Sequence, residues 1–345
     1  MLVFFFFMAL AEPRVFTLGA GGDVGFGRYM KSKRYRQHGG EEPFSALTSL
    51  FAASDLVFVN LETPLYDRHP PNVRSKRPLK NRLTFRSDTR YAQLMQNAGI
   101  DLVSLANNHM EDCSREAIQS TVDALDLAKL HHVGAHTEHD PYAPIVFQHD
   151  SVDVVVFARS TKRNKGRIGA KPHPDIAYVR TESILETSVP LIAEYKAKYP
   201  SAIFVFSIHW GGEYMDFPVR IQQTVARGLI DAGVHAVLGH HAHVLQPVEV
   251  YNSGVILYSM GNFIFDQSRV DTHKSAFFMM DFSWDEGWKP SQLRIHPLKL
   301  SVPPITTKRS GDQNIVHTIY RNGRNKRYRT PLTWTDGMLV WEPKE

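Results

Sequence analysis

The stretch His240-His241-Ala242-His243 places three imidazoles within four positions and constrains this chain more than any other feature. Upstream, apolar residues recur every four positions over 221–229, which predicts a helix with one apolar face. Gly233 follows at a point where helices commonly end in a left-handed residue. The apolar segment 234–238 is too short for a helix and is bounded by glycines, so it predicts a buried strand. The histidines therefore follow the end of a core strand.

His241 and His243 are two residues apart and can aim at one point if the turn after Gly239 is tight. Imidazole is a common ligand of borderline divalent metals, and a strand end is a suitable place to mount it. The alternative is a solvated histidine-rich turn in a chain that holds 17 histidines. The segment alone leaves both interpretations open.

Four further predicted strands also lead into polar residues. They cover 15–20, 56–62, 100–106 and 202–208, and the polar residues are Asp23, Asn60 with Glu62, Asn108 with His109, and His209. Predicted helices over 43–53, 88–98, 114–129 and 182–198 alternate with strands, including another at 152–158. Such alternation predicts a mainly parallel α/β sheet, and ligands of such sheets lie outside the carboxyl ends of the strands.

Carboxylates, an amide oxygen and several imidazoles at one end of a sheet are enough ligands for two divalent ions. Two ions about 3.5–4 Å apart can clamp a phosphoryl group, lower the pKa of a bridging water and stabilise the leaving oxygen. His109, beside Asn108, would then be free to donate a proton or to stabilise charge in the transition state.

The last third of the chain predicts antiparallel structure. Segments 247–251 and 255–258 flank Asn252-Ser253-Gly254 and predict a hairpin. Segments 276–284 and 292–300 suit antiparallel strands of a second sheet. Residues 301–345 carry two adjacent prolines and a basic run, and their pattern places no element.

Composition and charge narrow the class of protein. With 43% hydrophobic and 22% charged residues, the 345-residue chain is globular. The net charge is +5, and positive residues cluster in the runs 31–36, 74–82, 162–171 and 321–329. These runs are solvated loops or, if they converge, favour an anionic substrate or polymer. Because no recognition helix, zinc finger or RNP-like strand accompanies them, no nucleic acid partner is expected.

Residues 1–11 form a continuous apolar run that ends in Ala-Leu-Ala before Glu12, which is typical of the end of a secretory signal. A retained anchor is the alternative, although the run is too short to span a bilayer as a helix. Cys113 is the single cysteine, so no internal disulfide can form. These features predict export to the periplasm, the cell envelope or the outer face of a membrane.

Six short segments add a more specific pattern. They are Gly22-Asp23-Val24-Gly25-Phe26-Gly27-Arg28, Asn60-Leu61-Glu62, Ala106-Asn107-Asn108-His109-Met110-Glu111-Asp112, His209-Trp210-Gly211-Gly212-Glu213-Tyr214, Gly239-His240-His241-Ala242-His243-Val244-Leu245-Gln246 and Tyr258-Ser259-Met260-Gly261-Asn262-Phe263. In this order they resemble the CapA family of capsule and poly-γ-glutamate synthesis proteins, within the calcineurin-like metallophosphoesterase superfamily. The resemblance spans residues 19–267.

The resemblance implies an α/β fold, a metallophosphatase-like two-sheet sandwich flanked by helices, with a dinuclear metal site. The implied roles are Asp23 and His243 on one metal, Glu62 as the bridging carboxylate, Asn108, His209 and His241 on the other metal, and His109 as the catalytic histidine. The implied cofactor is one or two divalent ions, Mn, Zn, Fe or Mg. Arg28, Asn60, Asn107, Asp112, His240 and Asn262 are the expected substrate-binding or supporting residues.

Three departures from the superfamily pattern accompany this resemblance. The first motif is Asp-x-His in the superfamily, whereas position 25 here is glycine, which removes one imidazole ligand. Glu62 replaces an aspartate at the bridging position, and His240 adds an imidazole beside the usual pair. Occupancy by one metal or by two, and ordinary phosphatase activity, therefore stay open.

Two functions follow from these observations. The first is an exported metal-dependent hydrolase of the phosphoesterase type, acting on an anionic polymer or phosphoester together with membrane-bound polymer synthase subunits. The second is a non-enzymatic component that binds an anionic polymer during surface polymer synthesis. The expected organisation is a signal-like or anchor segment at 1–11, a CapA-type domain at 14–300 and an extension at 301–345.

Overall fold

The computed structural model describes residues 14–26, 43–67, 85–164, 174–301, 306–309, 315, 318–319, 328 and 330–344. The strands in these residues are β1 (Val15–Val24), β2 (Leu56–Leu61), β3 (Leu102–Ser104), β4 (His131–Val133), β5 (Ile145–His149), β6 (Val152–Ser160), β7 (Ile203–His209), β8 (Ala236–His240), β9 (Val248–Tyr251), β10 (Gly254–Leu257), β11 (Asn262–Ile264), β12 (Lys274–Trp284), β13 (Trp288–Ser301), β14 (Thr306–Arg309), β15 (Thr333–Thr335) and β16 (Met338–Trp341). The α-helices are α1 (Thr48–Phe51), α2 (Tyr91–Asn97), α3 (Arg115–Leu127), α4 (Ile184–Lys198) and α5 (Arg220–Asp231). Short 3-10 helices cover Ser45–Leu47, Thr181–Ser183 and Val270–His273.

The strands form two sheets. In the first sheet the order is β15-β16-β13-β12-β1-β2-β3-β4, with β11 beside β1 and β14 beside β13. In the second sheet the order is β5-β6-β7-β8-β10-β9. The β1, β2, β3 and β4 pairings are parallel, as are those of β6, β7, β8 and β10. The carboxyl ends of these parallel strands are the ends that carry the polar clusters.

Apolar side chains alternate between the two faces of each sheet and so build three buried layers. Along β2, Leu56 and Phe58 pack in the layer that also holds Val154 and Val156 of β6, so this layer lies between the sheets. Val57 and its alternate neighbours face α1, α2 and α3 on the outer side of the first sheet. A third layer packs α4 and α5 on the outer side of the second sheet. The predicted two-sheet sandwich flanked by helices is therefore confirmed.

Most predicted elements occur within a few residues of their expected bounds, and the predicted hairpin is the antiparallel pair β9–β10. The assignment of 276–284 and 292–300 to a second sheet is wrong. These segments lie in β12 and β13, and β12 pairs antiparallel with β1, in the same sheet as β2 and β3. The second sheet is instead built from β5 to β10, so the polar strand ends belong to two sheets. Alternating apolar and polar residues indicate that a segment is a strand, but they do not indicate which strand it pairs with.

The described parts of 301–345 also add strands to the first sheet. β14 and β16 both pair antiparallel with β13, and β15 pairs with β16. The proposed boundary at residue 300 stays a prediction, as does the role of the extension. Among the described residues, no helix combines the length and the apolar character that crossing a membrane requires.

Candidate metal centre

The polar strand ends of the two sheets meet in the buried layer between them. Asp23 and Asn60 are register neighbours on β1 and β2, and His209 and His240 are register neighbours on β7 and β8. All four side chains are almost completely buried. The four residues stand at the carboxyl ends of their strands or one residue before them.

The turn after β8 adopts an uncommon backbone conformation that directs its imidazoles into the site. His241 and His243 have φ values of 87° and 58°, in the left-handed region that L-residues avoid. Such residues cost about 1 kcal/mol or more each and persist where the surroundings hold them. A hydrogen bond helps to hold this conformation: the His241 backbone N–H donates to Asp23 Oδ2 at 3.2 Å. The tight turn expected after Gly239 is therefore present.

One group of potential ligands surrounds the His209 ring nitrogen Nε2. Asn108 Oδ1 lies 2.7 Å away, His241 Nδ1 3.1 Å away and Glu62 Oε1 3.3 Å away. A neutral imidazole has one N–H and can satisfy one of these three lone pairs. Four donor atoms that converge in this way match the coordination requirement of a divalent cation.

A second group contains Asp23, Glu62 and His243, whose ligand atoms all lie within 4.8 Å of one another. His243 Nδ1 is 3.3 Å from Asp23 Oδ2 and 3.9 Å from Glu62 Oε2. Asn262 Oδ1 lies 2.9 Å from the same nitrogen and so fixes the ring. This group has two carboxylates and one imidazole, and it is richer in oxygen than the group around His209.

Glu62 belongs to both groups, because one carboxylate oxygen faces His209 and the other faces His243. Its side chain is fully buried, and neither oxygen has a hydrogen-bond partner among the described residues. A buried carboxylate without donors costs several kcal/mol of stability unless a cation compensates it. The residues present therefore fit a divalent metal, and Glu62 lies between the two groups of potential ligands.

The pKa values of the buried acids and histidines are consistent with a cation-binding site. Burial, together with the charge of Asp23, raises the pKa of Glu62 from 4.5 to about 8. Burial holds the pKa values of His209 and His241 well below the usual range, so both rings are neutral and offer lone pairs at neutral pH. Burial also opposes ionisation of Asp23, but hydrogen bonds with His240 and His243 outweigh it and hold its pKa well below the usual range.

In the absence of a cation the pKa of His243 is raised, in contrast to those of His209 and His241. Burial lowers it, but the charges of Glu62 and Asp23 outweigh that effect and raise it to about 9. A proton on His243 thus balances the negative charge of Asp23, and part of that of Glu62 when Glu62 ionises. Bound metal would supply that positive charge instead and release the proton, because a ligand imidazole must be neutral.

His109 lies at the edge of the site and is held by an acid. Its Nδ1 is 2.7 Å from Asp112 Oδ2, and its ring lies 4.1 Å from the ring of Phe85. Its backbone N–H donates to Asn107 Oδ1 at 3.2 Å, and Asn107 Nδ2 in turn lies 3.3 Å from Asn60 Oδ1 beside Asp23. With Nδ1 committed to Asp112, Nε2 is the ring atom that can transfer a proton.

Asn164 connects these parts and was missed by the sequence analysis. Its Oδ1 accepts from Asn108 Nδ2 at 2.8 Å, and its Nδ2 donates to Asp112 Oδ1. The first bond turns the Asn108 amide so that Oδ1 faces His209. Asn164 lies within a basic run that resembles a solvated loop, and no local pattern distinguishes it from its neighbours.

The other predicted supporting residues are placed as follows. Asn107 Nδ2 donates to Leu61 O at 2.8 Å and its Oδ1 accepts from the His109 backbone, so it ties the third strand end to the second. His240 Nδ1 lies 3.3 Å from Asp23 Oδ1, and His240 is in none of the three groups of potential ligands. Asn60 Nδ2 donates to Asp23 Oδ1 at 2.8 Å. Arg28 lies outside the described residues.

The space beside Gly25 is filled by an aromatic ring. A Cβ atom at this position would lie 2.7 Å from Cε2 of Phe265 and 3.0 Å from Thr63 Oγ1. The Phe265 ring also lies 5.1 Å from the ring of His243. An imidazole at position 25 would therefore need Phe265 to move, and the aromatic ring takes the place of the ligand that the superfamily pattern would supply.

A third group of potential ligands contains Glu213, His241 and His243, again with ligand atoms within 4.8 Å of one another. Glu213 was not among the predicted site residues. Its position in the segment His209-Trp210-Gly211-Gly212-Glu213 was the available signal, because a carboxylate four residues after a predicted ligand is close to the site. Unlike the others, Glu213 is exposed.

The fold is a two-sheet sandwich of the metallophosphatase type. Among solved structures, a putative 5′-nucleotidase from Staphylococcus aureus in complex with alpha-ketoglutarate has a TM-score of 0.50 and 13% identity, covering 88% of this chain and 57% of that one. Likeness at this level of identity concerns the fold.

Sequence comparison identifies the family. The model of the bacterial capsule synthesis protein family PGA_cap matches residues 17–267, and this chain belongs to that family. The capsule biosynthesis protein CapA of Bacillus anthracis is 31% identical over 339 residues, or 97% of this chain and 77% of that protein. The PGA biosynthesis protein CapA of Bacillus subtilis is 31% identical over 257 residues, or 74% of this chain and 64% of that protein. The predicted membership of the CapA family is confirmed.

Proposed function

We propose that this protein is an exported, metal-dependent hydrolase that acts on an anionic polymer or phosphoester in capsule or poly-γ-glutamate synthesis. The observation that supports the proposal is the buried Glu62 carboxylate, whose two oxygens lack hydrogen-bond partners among the described residues and face two groups of ligands. A purely structural site would not need a carboxylate in that state, since an amide of similar size would cost less to bury.

Each residue has a defined role in this proposal. Asp23, Glu62 and His243 would hold one divalent ion, and Asn108, His209 and His241, together with Glu62, would hold the other. When bound there, divalent ions would supply Lewis acidity for a phosphoryl or carbonyl oxygen and would lower the pKa of a bound water. His109 gives a proton to the leaving group through Nε2, and Asp112 stabilises the protonated ring through Nδ1. Asn164 keeps the Asn108 amide in its ligating orientation.

The substrate class and the setting of the proposal come from family membership and from the sequence. The names of the two Bacillus relatives refer to capsule and PGA biosynthesis. The basic runs favour an anionic polymer. The apolar residues 1–11 favour export, with membrane-bound polymer synthase subunits as partners.

A second function is a non-enzymatic component that binds and guides the anionic polymer. The packing of Phe265 against Gly25 favours it, because the ring occupies the space that an imidazole at position 25 would need. In this alternative the metal stabilises the fold or contacts carboxylates of the polymer, and no bond of the polymer is broken.

Metal content and hydrolysis measured on the same preparations distinguish the two functions. The wild type is compared with His241→Ala/His243→Ala, with His109→Ala and with His149→Ala, a half-buried histidine outside the site. Aryl phosphate mono- and diesters and poly-γ-glutamate serve as substrates with added Mn²⁺ or Zn²⁺. Two equivalents of metal, with hydrolysis lost in the double variant and in His109→Ala but kept in His149→Ala, are expected. Bound metal without hydrolysis of any of these substrates would favour the polymer-binding function.

A further inference from the structure

Tyr214 lies beside the candidate metal centre in a backbone conformation that is uncommon for an aromatic residue. Its φ is 62°, in the left-handed region, where a bulky side chain is an outlier. Its backbone N–H donates to Ala242 O at 2.8 Å, so this conformation is held against the turn between His241 and His243. Residues in such conformations cluster at active sites and at sites that clamp ligands. Tyr214 is therefore a candidate for a functional role.

The Tyr214 ring connects the buried site with an exposed cation. Its centroid is 6.2 Å from that of the His243 ring, which is almost completely buried, whereas Tyr214 itself is 36% exposed. The Arg269 guanidinium lies over the Tyr214 ring, 4.9 Å from its centroid, and the Arg269 side chain is 56% exposed. One aromatic ring thus separates an exposed positive charge from a residue of the group Asp23, Glu62 and His243.

The segment that carries Arg269 is also tied to His243. Asn262, whose Oδ1 lies 2.9 Å from His243 Nδ1, donates from Nδ2 to Gln267 Oε1 at 3.0 Å. The Arg269 carbonyl oxygen accepts from the backbone N–H of the buried Thr272 at 3.0 Å and from its hydroxyl at 2.6 Å. The backbone of Arg269 is therefore held in a defined place relative to the candidate metal centre.

The donors of the Arg269 guanidinium are available to a ligand. A cation over an aromatic ring is attracted by the ring without using its hydrogen-bond donors. Within the described part of the chain, the nearest carboxylate oxygen is Asp271 Oδ2, 3.6 Å from Arg269 Nη2, which is beyond hydrogen-bond distance. Both side chains are exposed, and exposed ion pairs of this kind are weak. A carboxylate of a ligand can therefore displace Asp271 and bind the guanidinium in bidentate fashion.

We propose that Arg269, positioned by Tyr214, binds a carboxylate that a polymer substrate carries beyond the group held at the metal centre. The inference rests on the proposed function, because it assigns part of its substrate-binding surface, but it needs binding alone and no hydrolysis. Poly-γ-glutamate carries a carboxylate on every residue, so a chain with one unit at the metal centre presents others nearby. A single small anion occupies the metal centre only. The pair therefore makes the site prefer an extended polyanion to an isolated phosphate.

The test compares the binding of two probes by the full-length chain loaded with Mn²⁺ and dialysed to remove free metal. The probes are a short oligomer of γ-linked glutamate and inorganic phosphate, and calorimetric titration measures both affinities. Arg269→Ala removes the cation, and Arg269→Lys keeps the charge but loses the planar fork of donors. Circular dichroism and thermal unfolding show whether each variant folds.

Arg90→Ala is the matched control. The Arg90 guanidinium lies 5.3 Å from the centroid of the Tyr91 ring, and its Nε is 3.6 Å from Asp88 Oδ2. Its side chain is 63% exposed, and Tyr91 packs on the outer side of the first sheet. Arg90 thus reproduces the stacking, the weak ion pair and the exposure of Arg269 away from the candidate metal centre.

We expect Arg269→Ala to weaken binding of the oligomer by about 10-fold, because a hydrogen bond to a charged group contributes in this range. Its affinity for phosphate should equal that of the wild type. Arg269→Lys should lose about 3-fold in affinity for the oligomer, since it keeps the charge alone. Asp271→Asn removes the competing carboxylate and should strengthen binding of the oligomer about 2-fold. Arg90→Ala should bind both probes as the wild type does.

A double-mutant cycle tests whether the ring positions the cation. Tyr214→Leu removes the aromatic face and keeps a bulky side chain at the same backbone position. In this background Arg269→Ala should cost about 2- to 3-fold in affinity for the oligomer, in place of about 10-fold, because the guanidinium is no longer held over the ring. Equal costs in the two backgrounds overturn the positioning role of Tyr214.

The remaining failures can be told apart from failure of the proposed hydrolase. The inference is overturned by a wild type that does not bind the oligomer, by an Arg269→Ala variant that binds it as tightly as the wild type, or by equal weakening in Arg90→Ala. Equal weakening of phosphate binding by Arg269→Ala also overturns it, because Arg269 would then act on the metal centre itself. Binding of the oligomer that depends on Arg269, without hydrolysis of any substrate, removes the proposed enzyme and keeps this subsite. Hydrolysis of aryl phosphates with binding of the oligomer that is independent of Arg269 does the reverse.

Discussion

Asp112 Oδ2 lies 2.7 Å from His109 Nδ1, and the two residues stand three positions apart in the turn after β3. The same Asp112 oxygen accepts a hydrogen bond from the Phe85 backbone N–H at 2.8 Å. The carboxylate is thus held by a second segment of the chain, and it in turn holds the imidazole. This pair sets the orientation of the candidate proton donor.

Replacement of Asp112 by asparagine should therefore reduce turnover more than binding. Asparagine keeps the size of the side chain but cannot stabilise a protonated His109, so kcat should fall about 10- to 100-fold with KM and metal content unchanged. Steady-state kinetics on an aryl phosphate ester measure this. Asp126→Asn is the control, because Asp126 forms a similar pair with His132, at 3.1 Å, away from the site. Equal effects of both substitutions would show that the Asp112 pair has no special role.

Replacement of Glu62 by glutamine should stabilise the protein without metal and make it less stable than the wild type with metal. In the metal-free protein, burial raises the pKa of Glu62 to about 8, so folding at pH 7.5 must bind a proton or bury a charge. Glutamine removes that cost, and metal-free Glu62→Gln should unfold at a higher temperature than the metal-free wild type. With Mn²⁺ the wild type should become the more stable protein, because only its site binds the ion tightly. Calorimetry of both proteins with and without Mn²⁺ measures the crossing, and its absence would contradict the shared-ligand role.

His235 makes stability depend on pH outside the candidate site. Its Nδ1 accepts a hydrogen bond from the Phe204 backbone N–H at 2.9 Å, and burial, with Lys196 nearby, lowers its pKa from 6.5 to about 4. In the unfolded chain His235 therefore binds a proton below about pH 6.5, whereas in the folded chain it binds one only below about pH 4. The stability contributed by neutral His235 is lost as pH falls from 6.5 to 4, by about 3 kcal/mol at most.

The matched variant for this effect is His235→Asn, whose amide oxygen can accept the same hydrogen bond and does not titrate. Urea unfolding at pH 6.5, 5.5 and 4.5 should show a smaller loss of stability in His235→Asn than in the wild type. His149→Asn, at a half-buried position with its side chain 42% exposed, should follow the wild type. If His235→Asn also follows the wild type, His235 does not titrate as stated.

The contact between Gly25 and Phe265 predicts a coupled pair of substitutions. Gly25→Ala places a Cβ atom 2.7 Å from Phe265 Cε2 and should destabilise the protein by about 1–3 kcal/mol. In a Phe265→Ala background the same change should cost less, because the ring that it meets is gone. Urea unfolding of the four proteins in this cycle measures the coupling. Equal costs in both backgrounds would mean that the clash is relieved elsewhere, for example at Thr63.

The residues that resemble ligands could be recognised from sequence because each follows a segment with strong local periodicity. Asp23, Glu62, His209 and His241 all come at or just after the end of a short apolar strand. The hydrophobic pattern that identifies the strand also locates its carboxyl end, and the alternation of strands with helices orients those ends together. His109 and Asp112 were found for the same reason, since both lie in the turn after β3.

Only the tertiary structure decided how these strand ends combine. Pairing between strands depends on contacts across hundreds of residues, so β12 joined β1 rather than a second sheet, and the site formed between two sheets rather than along one. Asn164 and Glu213 come from loops, where no periodicity marks a residue that turns inward. The exclusion of a side chain at position 25 is equally invisible in sequence, because it depends on where Phe265, 240 positions away, places its ring. Local patterns determined which residues stand at strand ends, and long-range packing determined which of them meet.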